Sequence, residues 1–277
     1  HFGASVRQAD ARAGSRRAEL VILIIAFAWS IATTRLASVV ASDSWEGAIA
    51  AGGGVELSWA GDISAFSSNA LFLFLLMRWF WRFYIWASLL RKTSGLDLHL
   101  MPLHPDGCAG LGFLGLFPGI FSGLVIAVSS VVAASFYKVA NTMVDSSELL
   151  WLAAGVWLLL ASLIFLGPLL CFVKPLYLVR ENAVLEYGRL AHGHHMEFHR
   201  RWVDPRVPGQ DLLGSAEPSS LSDLNASVQA AHAMRVIPID RPALVQMIAS
   251  AGLPLLVMAA FRMPIGDLLQ LIVGIVL

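Results

Sequence analysis

Four stretches of the chain run for twenty or more mostly apolar residues: Leu20 to Val40, Ala65 to Leu90, Leu111 to Tyr137 and Leu149 to Val173. A helix rises only about 1.5 Å per residue, so about 20 such residues are needed to cross a bilayer core of roughly 30 Å. The chain is therefore read as all-α, a polytopic helical membrane protein with four transmembrane helices. A fifth apolar region, 242–277, is interrupted by Pro254 and by Arg262-Met263-Pro264. It is expected to be a spanning helix with a short second piece, or a re-entrant hairpin whose freed backbone groups are covered by neighbouring helices. Composition agrees, since 57% hydrophobic residues, 14% charged residues and a mean hydropathy of +0.70 leave too little charge to coat a soluble domain. Lys and Arg balance Asp and Glu at 19 each, so no overall charge points to nucleic acid, and the expected partner is the lipid bilayer.

The charges are segregated along the chain, and their placement predicts an orientation. Arg7, Arg12, Arg16 and Arg17 precede the first segment, Arg91 and Lys92 follow the second, and Lys174 and Arg180 follow the fourth. The intervening loops carry Asp43, Glu46, Glu56, Asp62, Asp145 and Glu148, with Lys138 their one base. Basic flanks resist translocation, so the N-terminus, the loop before the third segment and the stretch 174–241 are expected in the cytoplasm. Four regions follow: a cytoplasmic N-terminal segment 1–19, a four-helix membrane region 20–173, a cytoplasmic helical segment with linker 174–241, and the C-terminal apolar region 242–277. Within the third, Lys174 to Trp202 reads as an amphipathic helix, Asp204 to Pro218 as a linker and Ser219 to Met234 as a short helix. The chain opens with His rather than Met, so its native start is expected upstream. Cys108 and Cys171 lie far apart, which predicts neither a disulfide nor a cysteine metal site.

The polar residues near the apolar runs are the candidate functional residues. His104-Pro105-Asp106 stands directly before the third segment. J-domain co-chaperones carry the same triplet, but between soluble helices, whereas here GCAGLGFL follows it. The physical expectation is that Asp106 caps the third helix, the prolines hold the loop extended, and Gly107, Gly110 and Gly112 thin that helix for close packing. In the second segment, Arg78 and Arg82 share one helical face among Trp79, Phe80, Trp81, Tyr84 and Trp86. Either they snorkel to inner headgroups beside an aromatic belt, or one pairs with Asp106 or Asp97 and the other attracts an ion or lipid phosphate. Arg35, within the first segment, is a third such candidate, with an outward snorkel preferred over a pore-lining place. Pro118, Gly119 and Gly123 interrupt the third segment, chiefly for packing.

His192, His194, His195 and His199, with Glu197 among them, form a metal-like string, and His195 and His199 would share a face. The string lacks the HExxH order of a zinc hydrolase. No Walker loop, nucleophile elbow or dinucleotide fingerprint occurs in a credible setting, so no catalytic residue and no cofactor is assigned. Asn225-Ala-Ser227 matches a glycosylation sequon on the side expected to face the cytoplasm.

Three blocks together, RWFWRFYIWASLL, LDLHLMPLHPDGCAGLGFL and LLGSAEPSSLSDL, resemble a family of uncharacterised bacterial multi-pass integral membrane proteins. The resemblance implies a bacterial inner-membrane location. It singles out Arg78, Trp79, Arg82, His104, Pro105, Asp106, Gly110, Gly112, Ser220 and Asp223. The chain departs from the family pattern at Glu217, where an Asp is usual, and at Cys108-Ala109 in the Gly-rich loop. The expected function is an oligomeric inner-membrane channel or transporter-like protein for anions, formed between copies of the chain. The alternative is a non-catalytic membrane scaffold or accessory subunit that binds a partner protein through its cytoplasmic segment. A membrane-interface enzyme using His104 and Asp106 lacks a third catalytic group.

Overall fold

The structure is a computed structural model that describes residues 2–40, 43–44, 47–49, 55–142, 147–204 and 217–261. Residues 34–40, 65, 139–142, 147–150 and 217, and the strands, are described by their backbone alone. Two compact units emerge, His1–Leu96 and Asp97–Leu277.

In the first unit the basic N-terminal segment forms helix α1, Phe2–Ala13, and after a turn at Gly14 the chain continues as α2, Arg16–Val40. Three short strands follow, β1 Asp43–Ser44, β2 Gly47–Ile49 and β3 Val55–Leu57. They form a short antiparallel meander with Asp43 opposite Ala48 and Ala48 opposite Glu56, a local feature of a chain whose other described elements are all helical, as expected. Ser58 then caps α3, Trp59–Ile63, its hydroxyl accepting from the Gly61 amide at 3.0 Å. A π-helical stretch Ser64–Asn69 leads into α4, Ala70–Ser94, which ends at Gly95 with Arg91 and Lys92 in its last turn. Both α1 and α2 pack on α4.

In the second unit the loop 97–111 leads into a 3₁₀ turn Gly112–Leu116, the single turn α5 Phe117–Ile120 and helix α6 Ser122–Thr142. Helix α7 is Ser147–Leu166; a 3₁₀ turn Gly167–Phe172 joins it to α8, Val173–Phe198, which a π-helical turn His199–Val203 closes. Helices α9, Glu217–Ala233, and α10, Arg241–Ala260, complete the unit. The unit is centred on α6, α7 and α10. Ala133, Ala154 and Leu255 meet at its buried centre, ringed by Phe136, Trp157, Leu158 and Met258. Small residues at this point let helices approach closely, which is how packing holds helices together where lipid removes the hydrophobic drive. The buried Ser129 hydroxyl accepts from Trp157 Nε1 at 3.0 Å and adds a polar link between α6 and α7.

Three helices among the described residues are long and apolar enough to cross a membrane: Trp59–Ser94, Trp151–Val203 and Arg241–Ala260. Gly112–Ile120 and Ser122–Lys138, bent by 43°, make a fourth if taken as one span. That is fewer than the four plus one expected. Helix α2, whose described part opens with Arg16, Arg17 and Glu19, does not join them. The third segment is bent rather than straight, because the chain turns at Phe121, whose amide reaches back only to the Pro118 carbonyl at 3.1 Å. The fourth does not stop at Val173 but continues to Val203. Pro254 does not break the fifth, since α10 runs through it to Ala260; proline in an apolar helix removes one backbone bond without ending the helix when neighbours pack around it. The second interruption, Arg262-Met263-Pro264, and most of the expected linker lie outside the described residues.

Candidate functional site

The polar residues of the second unit gather where the loop before α5 meets the segment between α9 and α10. Three successive turns shape the loop: the His104 amide reaches Met101 O, the Gly107 amide His104 O and the Leu111 amide Cys108 O, each at 3.0 Å. Folding the chain back so tightly needs left-handed backbone at Gly107 (φ 63°), Ala109 (φ 55°) and Gly110 (φ 90°). Asp106 fills the centre of the coil. Its Oδ1 accepts from the amides of Cys108 (2.8 Å) and Gly110 (3.1 Å), its Oδ2 from that of Gly112 (2.8 Å), and His104 Nδ1 lies 3.0 Å from Oδ1. A methyl group on Gly112 would sit 2.9 Å from Asp106 Cβ.

The expected cap is thus replaced by a knot. Asp106 reaches the start of a helical element only through Gly112, the first residue of the 3₁₀ turn, and spends its other bonds inside the loop. The glycines serve the turns and the close approach to Asp106 rather than helix packing. Burial raises the Asp106 carboxyl, but the amides of Cys108, Gly112 and Gly110 together with His104 outweigh it and hold it low, at about 2.

Arg235 closes the knot from 129 residues away. Its amide donates to Gly107 O at 2.8 Å, Nη2 donates to Asp106 O at 2.9 Å, and Nη1 pairs with the Asp240 carboxylate. Asp240 and Pro238 in turn crowd Gly115, where an added Cβ would lie 3.1 Å from Asp240 Oδ2. Further along, Gln246 of α10 lies against the bend, with Oε1 2.9 Å from the position a Gly119 Cβ would take and Nε2 3.4 Å from Ser122 Oγ. The sequence reading missed Arg235 and Asp240. Their one local signal is an opposite-charge pair flanking Val236-Ile237-Pro238-Ile239, directly before an apolar helix.

Cys108 is the nearest potential nucleophile, yet it is fully buried, its thiol is directed at Arg235 O at 3.6 Å, and burial pushes it up to about 11 against the opposing pull of Arg235. A thiol held protonated is inert.

The other candidate residues lie elsewhere. In the first unit, Arg78 Nη2 pairs with Glu19 Oε1 of α2 at 2.9 Å, a partner the sequence reading did not name. The Arg82 guanidinium lies 5.9 Å from the centre of the Trp79 ring. Arg35 is on α2, its side chain outside the described residues. His192, His194, His195 and His199 follow one another around the end of α8, and His195 Nε2 is 3.0 Å from Asn225 Oδ1 of α9. Among the described residues no three His, Cys, Asp or Glu side chains converge as a metal set, and His195 is instead turned toward Asn225. The same contact occupies the sequon asparagine. Neither cysteine forms a disulfide.

Comparison of the chain with protein-family models, with curated proteins and with solved structures finds no match. The fold shown by the structure is that of a helical protein with several membrane-compatible helices.

Proposed function

We propose that this chain is a non-catalytic membrane adaptor of a bacterial inner membrane, N-terminus in the cytoplasm, which presents the α8–α9 hairpin to a partner protein. The observation that carries this reading is the length of Trp151–Val203. It is continuous over 53 residues, roughly 80 Å at 1.5 Å per residue, against a hydrocarbon core of roughly 30 Å. Much of α8 therefore stands clear of the bilayer, braced by α9 through His195 with Asn225 and through Arg180 Nη2, which donates to His232 O at 2.9 Å. Leu178, Leu185 and Met196, spaced at two and three helical turns, are half-exposed on the face opposite the buried Leu176, Ala183 and Ala191. The knot around Asp106 fits the same reading, as a fixed base from which α10 re-enters the membrane.

A second reading, the oligomeric anion channel or transporter, is favoured by one observation: the bent span at Phe121 with Gln246 and Ser122 set against it, a feature of transport pathways. Against it, the cavities of about 650 and 750 Å³ flanking α10 are lined mainly by apolar side chains such as Ile126, Leu253 and Pro254.

A photo-crosslinking amino acid at Leu185 in native membranes tests the adaptor. A discrete heavier species, lost when Leu178 and Met196 are changed to Ser, is the expected result. Adducts only of the doubled mass, or none at all, combined with chloride flux through reconstituted protein, would replace the adaptor with the channel.

A further inference from the structure

Seven exposed cations of the first unit gather at one end of it. Three contacts set the register. Lys92 Nζ donates to Gln8 Oε1 at 3.0 Å, Trp81 Nε1 donates to the Arg12 carbonyl at 3.4 Å, and Arg78 pairs with Glu19. Residues 8, 12 and 19 thus stand beside 92, 81 and 78, so α1 and the first turn of α2 run antiparallel along the C-terminal three-fifths of α4. This brings Arg7, Arg12, Arg16 and Arg17 alongside Arg82, Arg91 and Lys92, all exposed. The acidic residues within these stretches are Asp10 and Glu19, and Arg78 takes the second.

Aromatic rings occupy the same level. Trp79, Phe80 and Tyr84 are exposed on α4, the Trp81 ring stacks on Tyr84 at 5.8 Å, and Trp79 backs the Arg82 guanidinium. Cations alone would suit any polyanion. Cations level with exposed rings, at the end of a helix long and apolar enough to span, match the boundary between headgroups and acyl chains, where rings sit in the interface and guanidinium groups face phosphate.

We propose that this end of the first unit binds anionic phospholipid, its phosphodiester groups held by Arg12, Arg16, Arg17 and Arg82 and its upper acyl region bordered by Trp79, Phe80 and Tyr84. Arg7, Arg91 and Lys92, further along α1 and α4, add attraction at longer range. The surface stands independently of the partner-binding hairpin.

The test is native mass spectrometry of the full chain in detergent, titrated in turn with phosphatidylglycerol, phosphatidylcholine and inorganic phosphate. Saturable phosphatidylglycerol adducts are expected, with phosphatidylcholine binding weaker and millimolar phosphate failing to compete. The variant R12Q/R16Q/R17Q/R82Q should weaken phosphatidylglycerol binding at least ten-fold, well within the roughly thousand-fold that four basic residues at an anionic surface supply. A charge-matched variant in the second unit, K138Q/K174Q/R200Q/R201Q, should retain it. R82Q and R12Q/R16Q are measured separately, with helicity checked by circular dichroism, so that a folded variant is available. Equal binding of both lipids, equal losses in both fourfold variants, or undiminished binding in folded R82Q and R12Q/R16Q overturns the proposal. Competition by phosphate would reassign the surface to a soluble anion.

Discussion

Two ionised groups near the ends of apolar helices are satisfied in opposite ways. Asp106 is 22% exposed and draws three backbone amides and a histidine around itself, all within nine residues of chain. Arg78 and Glu19, 37% and 36% exposed, meet side chain to side chain across two helices. Backbone donors cannot be moved without unfolding the loop, whereas two long side chains at a wet boundary can exchange each other for water. The first arrangement therefore specifies local structure, and the second mainly decorates it.

The largest test of that contrast is Asp106→Ala. It strands the amides of Cys108, Gly110 and Gly112 and should cost about 3 kcal/mol, since hydrogen bonds to a charged acceptor contribute about 1.5–3 kcal/mol each and are not additive. Thermal unfolding in detergent measures it; a loss under about 1 kcal/mol would falsify the knot as a structural determinant.

Next in size is the acid dependence. The folded carboxyl, at about 2, lies below its ordinary 3.8, so the stabilisation is complete above about pH 4 and is lost as pH falls through about 2. The difference corresponds to about 2 kcal/mol. Stability measured from pH 5 to pH 2 should fall more steeply in the wild type than in Asp106→Asn, and parallel curves would remove Asp106 from the account.

Ala109→Gly should act in the other direction. Ala109 is held at φ 55°, where an alanine is disfavoured, and glycine there should raise stability by about 1 kcal/mol in the same unfolding measurement. An unchanged or lowered midpoint would show that the methyl group's burial in the loop outweighs the backbone strain.

The smallest effect is expected for Glu19→Gln. Loss of the exposed pair with Arg78 should cost about 0.5 kcal/mol at low salt and nearly nothing in 0.5 M salt. A salt-independent loss above about 2 kcal/mol would place this pair alongside Asp106 as a determinant of the fold.

The contrast also explains what was legible in the sequence. Apolar runs show as runs, so the second and fourth segments and the helical part of the fifth were visible, as was the helix found at Glu217–Ala233. The importance of the His-Pro-Asp stretch was visible too, but not its form, because an aspartate before an apolar helix reads as a cap until the three turns are seen. Arg235 was hidden for a simpler reason: its contacts with Gly107 and Asp106 lie over a hundred residues away, and hydropathy and charge patterns report neighbours along the chain. The bend at Phe121 was signalled by Pro118 and Gly119, yet these residues are common enough in membrane helices that packing was the reading preferred.

The 3₁₀ turn Gly167–Phe172 has a mechanical consequence. It joins α7 to α8 with tighter, less favourable backbone bonding than the helices on either side, the place where a rod yields first. Some 36 residues separate Gly167 from Val203, a lever arm of about 54 Å. A tilt of about 10° at its fulcrum sweeps the tip through about 9 Å. The placing of the far end of α8 thus depends on the few backbone bonds of this turn more than on any other six residues of the helix.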